Sequence, residues 1–403
     1  MMMLVVVLLP FILFFRGLTV FFVQDDFWLL SISRIHTIGE FLQFFSPRAD
    51  VVWYRPLSSQ FFFFLGNLFF GLHPLPYHIM VLLTHLLVIC VLYKLVFSFW
   101  KDKSISLLSS FLYGTHALHT ISLSWLATYA FILSPLWLLL TLYFYRLKKE
   151  KLAFLSYILG LLTFEVSLII PLLLVSYQVF FEKKIQPSKI VPYIISIFIL
   201  LFTRKILFPT QVTSELYQIS LSINTVSLLK FYLLRLIGIP LFIDGMSLLN
   251  KIIVSFLSFG FLAFLIFTFV RLRVILTAEL KFFLSLFCIG LIPFLLFPLH
   301  VAPYYATFAL LGCTPITAYI SVKFFNRLHK QKRFVVSSVY VFLYIILQST
   351  GIFWTYKTHW IYKRAELAQQ LIDKHIYEAI PQSEEFFALG ANAASYVYLE
   401  NSK

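Results

Sequence analysis

Phe21-Phe22-Val23-Gln24-Asp25-Asp26-Phe27-Trp28 closes an apolar run that begins at Met3 and is interrupted only by Pro10, Arg16, Gly17 and Thr19. A helix needs about 20 apolar residues to cross a bilayer core, so this run is long enough to span, and the two carboxylates mark where the chain leaves the hydrocarbon. The rest of the sequence repeats the theme. The chain has 403 residues, 61% of them hydrophobic and only 12% charged, with a mean hydropathy of +0.91. A soluble core does not absorb that much Phe and Leu, and the reading is an all-α polytopic membrane protein.

Working outward, the apolar runs define about eleven expected spans: 3–23, 77–99, 104–122, 126–146, 152–164, 167–181, 190–207, 251–270, 281–298, 305–325 and 334–356. The fifth and sixth are short and fit a re-entrant pair around Glu165. The net charge of +15 is not spread as a nucleic-acid surface would be. It collects in short breaks at Lys101/Lys103, Arg146/Lys148/Lys149/Lys151, Lys183/Lys184/Lys189, Arg271/Arg273 and Arg327/Lys330/Lys332/Arg333, which alternate with longer breaks holding most of the acids. That is the positive-inside pattern, and it sets the amino end inside and the carboxyl end outside. Residues 1–23 lack a basic start and a small-residue cleavage site, so they read as a retained span. Cys90, Cys288 and Cys313 fall within expected spans as packing residues, not as a disulfide or metal framework.

This topology places a transmembrane domain at 1–356, with outer loops at 24–76 and 208–250 and a short extracytoplasmic tail at 357–403. The first loop carries Asp25, Asp26, Arg34, Glu40, Arg48, Asp50 and Arg55 and is broken into short amphipathic helices by Pro47, Pro56, Pro74 and Pro76. The second holds Glu215, Lys230, Arg235 and Asp244. In the tail, residues 360–380 read as an amphipathic helix and 386–398 as a small strand-prone piece that packs on the outer loops. There is no internal repeat and no Gly-rich phosphate loop.

Ionisable groups at a membrane boundary are costly, which makes Asp25 and Asp26 candidates for a base and its neighbour; the plain alternative is solvated loop charge. In Trp53-Tyr54-Arg55-Pro56, a guanidinium stands beside two aromatics, suited to phosphate oxygens and a sugar face or to an interfacial belt. His78 and His85 share a helix face two turns apart and are expected to be hydrogen-bonded interior residues. His116 and His119, at i and i+3 in one span, have a spacing that suits a divalent metal or a phosphate anion. Glu165 implies a partner or a watery cavity, which His300, Tyr304 and Tyr305 would complete.

In this order, the motifs resemble the GT-C superfamily of polytopic glycosyltransferases, in particular bacterial relatives of the TPR-containing protein O-mannosyltransferases. The resemblance runs through Asp25-Asp26, Tyr54-Arg55-Pro56-Leu57, Phe70-Gly71-Leu72 leading to Tyr77-His78 and His85, then His116, His119, Trp125, Glu165 and Tyr304-Tyr305, over roughly residues 1–360. It implies a polyprenyl-phosphate sugar donor, an acceptor outside the cytoplasm, and an active site on the outer face of a bacterial cytoplasmic membrane. Asp25 is then the catalytic base with Asp26 beside it, and Arg55, His116 and His119 face the donor phosphate. Glu165, His78, His85, Tyr54, His300, Tyr304 and Tyr305 line the cavity. The chain departs from the family in three places. Residues 121–129 lack the acid and Arg common around Trp125, Phe164 stands where a basic residue is usual, and no TPR array follows the last span. The competing readings are a transporter or flippase of a lipid-linked envelope precursor and a non-catalytic scaffold of the same fold.

Overall fold

A computed structural model of the chain describes residues 2–48, 53–207, 219, 223–241 and 243–373, and every regular element among them is helical. The expected features at Asp50, Glu215, 374–380 and 386–398, and part of the loop 208–250, lie outside the described residues. The chain is an all-α, membrane-embedded protein. Seven helices among the described residues are long and apolar enough to cross a membrane: Pro74–Trp100, Leu126–Arg146, Glu165–Glu182, Leu248–Arg271, Ala278–Leu295, Pro303–Phe325 and Lys330–Thr358.

Each coincides with one of the eleven expected spans. The other four segments are helical but shorter or interrupted. The first is α1 (Met2–Phe14) followed by a tight turn at Phe15–Thr19, and the span at 152–164 is α9 (Glu150–Leu161). The span at 190–207 is α11 (Pro187–Phe202) with a loosened last turn at Thr203–Leu207. The span at 104–122 divides into α6 (Lys103–Gly114) and α7 (His119–Ser124), parted by the turn at residues 115–118. The region around Glu165 is not a re-entrant pair of short pieces: a tight turn at Glu165–Ile169 leads straight into α10 (Ile170–Tyr177), and together they make a full-length helix.

Local chemistry sets where the helices start. Pro74 opens α5 (Pro74–Trp100), where its missing N–H is not needed. Asp102 caps α6 by accepting from the backbone N–H groups of Ser104 and Ile105 at 2.7 and 3.2 Å. Ser247 and Thr277 cap α13 (Leu248–Arg271) and α14 (Ala278–Leu295) in the same way. In the first loop, Thr37 and Glu40 form a reciprocal box around the start of α3 (Ile38–Gln43), with the His36 N–H donating to Glu40 at 2.6 Å.

Where they stop is marked by basic residues. Lys101 follows α5, Lys148 lies just beyond α8 (Ala130–Arg146), Lys183 follows the helix ending at Glu182, and Arg273 lies just beyond α13. All four have positive φ, between 46° and 58°. A glycine usually takes such a position. Here the side chain brings a cation to the negative end of the helix dipole, so the basic clusters of the sequence are also helix terminators.

The helices pack α5 against α6 and α8, α8 against α9, and α14 against α15 (Thr307–Phe325), which also meets α6. Small residues bring backbones close. A Cβ added at Gly312 in α15 would lie 2.3 Å from the Phe287 N and 2.4 Å from the Phe283 O of α14, so those helices touch main chain to main chain. Large apolar side chains turn outward on the flanks, among them Phe256 of α13 (76% exposed) and Phe334 of α16 (Lys330–Thr358; 74% exposed), the surface that lipid covers in a membrane.

A second, smaller core sits at the Asp25 end of the bundle. Phe22, Phe27, Phe62, Phe63, Tyr77 and Tyr129 gather there, and α17 (Trp360–Asp373) closes the cluster with Ile361, Ala365 and Ala368. The amphipathic tail helix begins at Trp360, where the sequence places it, and packs on the first loop. Gly66, in α4 (Phe62–Phe70), lies under the Tyr77 ring so closely that a Cβ would stand 2.0 Å from it.

Candidate active site

Asp25 and Asp26 begin α2 (Asp25–Ile32), where carboxylates meet the positive end of the helix. They are treated differently. Asp26 is 1% exposed and fully engaged: its Oδ2 accepts from the Val23 N–H at 2.9 Å and its Oδ1 from the Ala127 N–H at 2.6 Å. It thereby ties the exit of the first helical segment to the turn at Leu126–Thr128 that precedes α8. Burial pushes its pKa well above the usual carboxylate value; the two N–H donors pull against that, and neighbouring Asp25 adds to it. Asp25 is exposed and makes no hydrogen bond or ion pair among the described residues. The protein crowding around it still raises its pKa through desolvation. One carboxylate is spent on the scaffold, and its neighbour is left open.

The backbone that presents Asp25 is strained. Gln24 has φ 52° and ψ −112°, a conformation that costs a non-glycine residue on the order of 1–3 kcal/mol. Its side chain accepts from Arg364 of α17 at 2.9 Å, so the tail helix holds the residue next to Asp25. The sequence offered only the amphipathic character of that helix, not its target.

Arg55 and Glu165 form the second group. Arg55 Nε donates to Glu165 Oε2 at 2.9 Å, and the Tyr54 backbone N–H donates to Oε1 at 2.8 Å. The guanidinium lies 4.3 Å from the Phe164 ring centre and 5.5 Å from that of Trp53. Glu165 thus has the partner its depth demanded. The Arg55 terminal nitrogens make no hydrogen bond to described residues and remain available to an anion. Tyr54 turns its hydroxyl to the Phe45 carbonyl at 2.8 Å. The Trp28 ring of α2 meets Trp53 edge-on at 5.7 Å, which links the Asp25 helix to the strand of residues carrying Arg55.

His300, Tyr304 and Tyr305 belong beside this group. Tyr305 is hydrogen-bonded to His300 and stacks on the rings of Phe131 and Phe294, while Tyr304 meets Phe131 edge-on. Burial lowers the His300 pKa, and the nearby Arg55 charge lowers it further, so this imidazole is neutral around pH 7.

The other four histidines singled out in the sequence, His78, His85, His116 and His119, lie in the interior, each bonded to carbonyls at or just beyond helix ends. His85 Nε2 meets the Gly114 carbonyl at 3.0 Å and His119 Nε2 the Tyr113 carbonyl at 2.9 Å, both at the end of α6. His116 Nε2 meets the Leu236 carbonyl at the end of α12 (Ile223–Leu236) at 3.2 Å, and its Nδ1 accepts from the Leu118 N–H. His78 lies between the carbonyls of Val20, at 2.8 Å, and Leu123, at 3.2 Å. Terminal helix carbonyls in a dry interior need donors, and these imidazoles supply them.

The break after Gly114 has a direct consequence for the expected i, i+3 pair. His116 lies in the turn and His119 opens α7, so they do not share one helix face. The His119 ring instead packs 4.5 Å from His85. No group of three or more His, Cys, Asp or Glu converges as a metal site among the described residues, and these two side chains do not fit a metal ion together. Arg235, named in the sequence only among loop charges, proves to be a buried cation at 9% exposure. Its position at the end of α12 gave no signal of that.

Comparison with family models, curated proteins and solved structures finds no match to this chain.

Proposed function

We propose that this chain is an integral membrane glycosyltransferase of the GT-C type, which moves a sugar from a polyprenyl-phosphate donor to a hydroxyl of an extracytoplasmic acceptor. The observation that carries the reading is the unequal pair at the start of α2. Asp26 is clamped by two backbone N–H groups, while Asp25, one residue away on a strained backbone, carries an open carboxylate with a raised pKa. A general base needs that combination of fixed position, unspent lone pairs and a pKa moved toward the working pH.

In the proposed step, the acceptor hydroxyl gives its proton to Asp25 as its oxygen bonds to the anomeric carbon. The bond from that carbon to the lipid phosphate breaks, and the phosphate leaves with the electron pair. It needs no acid, but its developing charge needs donors, and the terminal nitrogens of Arg55, flanked by the rings of Trp53 and Phe164, supply them. Glu165 fixes the guanidinium through Nε and so leaves its far edge to the substrate. In this reading eleven segments cross or enter the membrane with the amino end inside, and the basic helix terminators at Lys101, Lys148, Lys183 and Arg273 occupy the cytoplasmic face.

Asp25→Asn tests the assignment in proteoliposomes supplied with labelled polyprenyl-phosphate sugar and acceptor extract. The transferase loses turnover by about 10²–10⁴-fold while donor binding persists. A transporter of lipid-linked precursors would keep its substrate flux, and unchanged turnover would remove Asp25 from the chemistry.

A further inference from the structure

The tail helix α17 touches both flanks of the acid pair at the start of α2. On one side, Arg364 Nη1 donates to Gln24 Oε1 at 2.9 Å, and Gln24 is the residue that turns the backbone into Asp25 with φ 52° and ψ −112°. On the other, the Trp360 ring meets that of Trp125 edge-on at 5.3 Å, and Trp125 stands two residues before Ala127, whose N–H clamps Asp26. Trp360 and Arg364 are about one helical turn apart on one face, with the guanidinium 4.7 Å from the Trp360 ring centre, so the two contacts act together.

The helix is seated firmly enough to transmit this. Ile361, Ala365 and Ala368 are buried in the cluster that holds Phe22 and Phe27, and a single extended residue, His359, joins α17 to α16. The backbone at Gln24 needs a restraint, because a residue with a Cβ leaves such a conformation unless its surroundings hold it. The bonds of Asp26 to Val23 and of the Phe27 N–H to the Gln24 carbonyl fix the main chain around the turn. Arg364 holds the Gln24 side chain.

We infer that α17 is a brace that sets the position of the Asp25 carboxylate, with Arg364 as a positioning residue that acts through Gln24. That the brace governs sugar transfer rests on the transferase reading; that it governs the geometry at Asp25 does not.

The test uses purified full-length protein in proteoliposomes, with sugar-transfer kinetics per folded protein and carbodiimide labelling of Asp25 read peptide by peptide in a mass spectrometer. Arg364→Ala should lower kcat about five- to tenfold with little change in KM for the donor, the effect of one lost charge-assisted hydrogen bond at the surface, and Arg364→Lys should recover part of it. Gln24→Gly is the deciding background. Glycine takes this φ without penalty, so there Arg364→Ala should lower kcat by less than about twofold. A helix that only stabilised the fold would lose the same in both backgrounds. Labelling of Asp25 should change in Arg364→Ala, while Glu150 at the start of α9 keeps its wild-type rate. Wild-type kcat or wild-type labelling of Asp25 in Arg364→Ala overturns the brace, as does an equal loss of kcat in the two backgrounds. If Asp25→Asn keeps its turnover, the transferase reading fails, and the labelling alone then decides the brace.

Discussion

The interior histidines and the start of α2 use polar groups in opposite ways. In the interior, His78, His85, His116 and His119 each meet carbonyls at or near helix ends, so a ring nitrogen of each is spent on a costly polar group of the bundle. At the start of α2, Asp26 is spent in the same fashion on Val23 and Ala127, but Asp25 beside it and the far edge of Arg55 are not. Unpartnered polarity next to a fully satisfied clamp separates a site from a scaffold, and the contrast can be broken from either side.

The largest effect belongs to the clamp. Asp26→Ala leaves two buried N–H groups without an acceptor and should cost about 2–5 kcal/mol, seen as a lower unfolding temperature or lost folded yield in detergent. Asp25→Ala, with no partner to orphan, should leave stability nearly unchanged. Equal losses for the two would erase the distinction. Gly312→Val follows, because any Cβ there meets the Phe283 and Phe287 backbone; forcing α14 and α15 apart should cost about 1–3 kcal/mol.

Smaller again are the histidines. His85→Leu or His116→Leu removes a donor from a helix-end carbonyl and should cost about 0.5–1.5 kcal/mol in thermal stability. A much larger loss of activity than of stability at His116 would return it to the phosphate-binding role that its sequence spacing suggested.

The pH dependence sharpens the comparison further. Asp26 has a folded pKa raised well above 3.8, so the folded state holds this proton more readily than the unfolded chain does. Its contribution to stability is fully present below 3.8 and is lost as pH rises through the raised value. The unfolding temperature of the wild type should therefore fall relative to Asp26→Asn as pH climbs from 4. Stability that rose with pH relative to that variant would contradict the burial argument.

Much of this was legible in the sequence. Seven of the eleven apolar runs are helices long and apolar enough to span, because a span needs only length and composition to be recognised; the other four are helical in shorter or interrupted pieces, and the basic breaks fall where helices end. The tail helix is where its amphipathic pattern placed it, but its bond to Gln24 beside Asp25 was not legible. The break at residues 115–118 was not legible: no proline marks it, and it is held by tertiary bonds from His85, His116 and Gln348 to groups far along the chain. For the same reason an i, i+3 histidine pair looked like a chelate and is two separate helix-end donors. Asp25 and Asp26 were indistinguishable as letters. Only the placement of the Ala127 N–H, a hundred residues away, decides which is clamped.

The most direct measurement is the pH dependence of sugar transfer from labelled polyprenyl phosphate by the wild type, Asp25→Asn and Asp26→Asn, with folded yield held equal. Because desolvation raises the Asp25 pKa from 3.8, wild-type turnover should appear as pH rises through a value above 3.8. Asp25→Asn should show no such limb and almost no transfer, whereas Asp26→Asn keeps both. An acid limb and turnover that persist in Asp25→Asn would contradict the account.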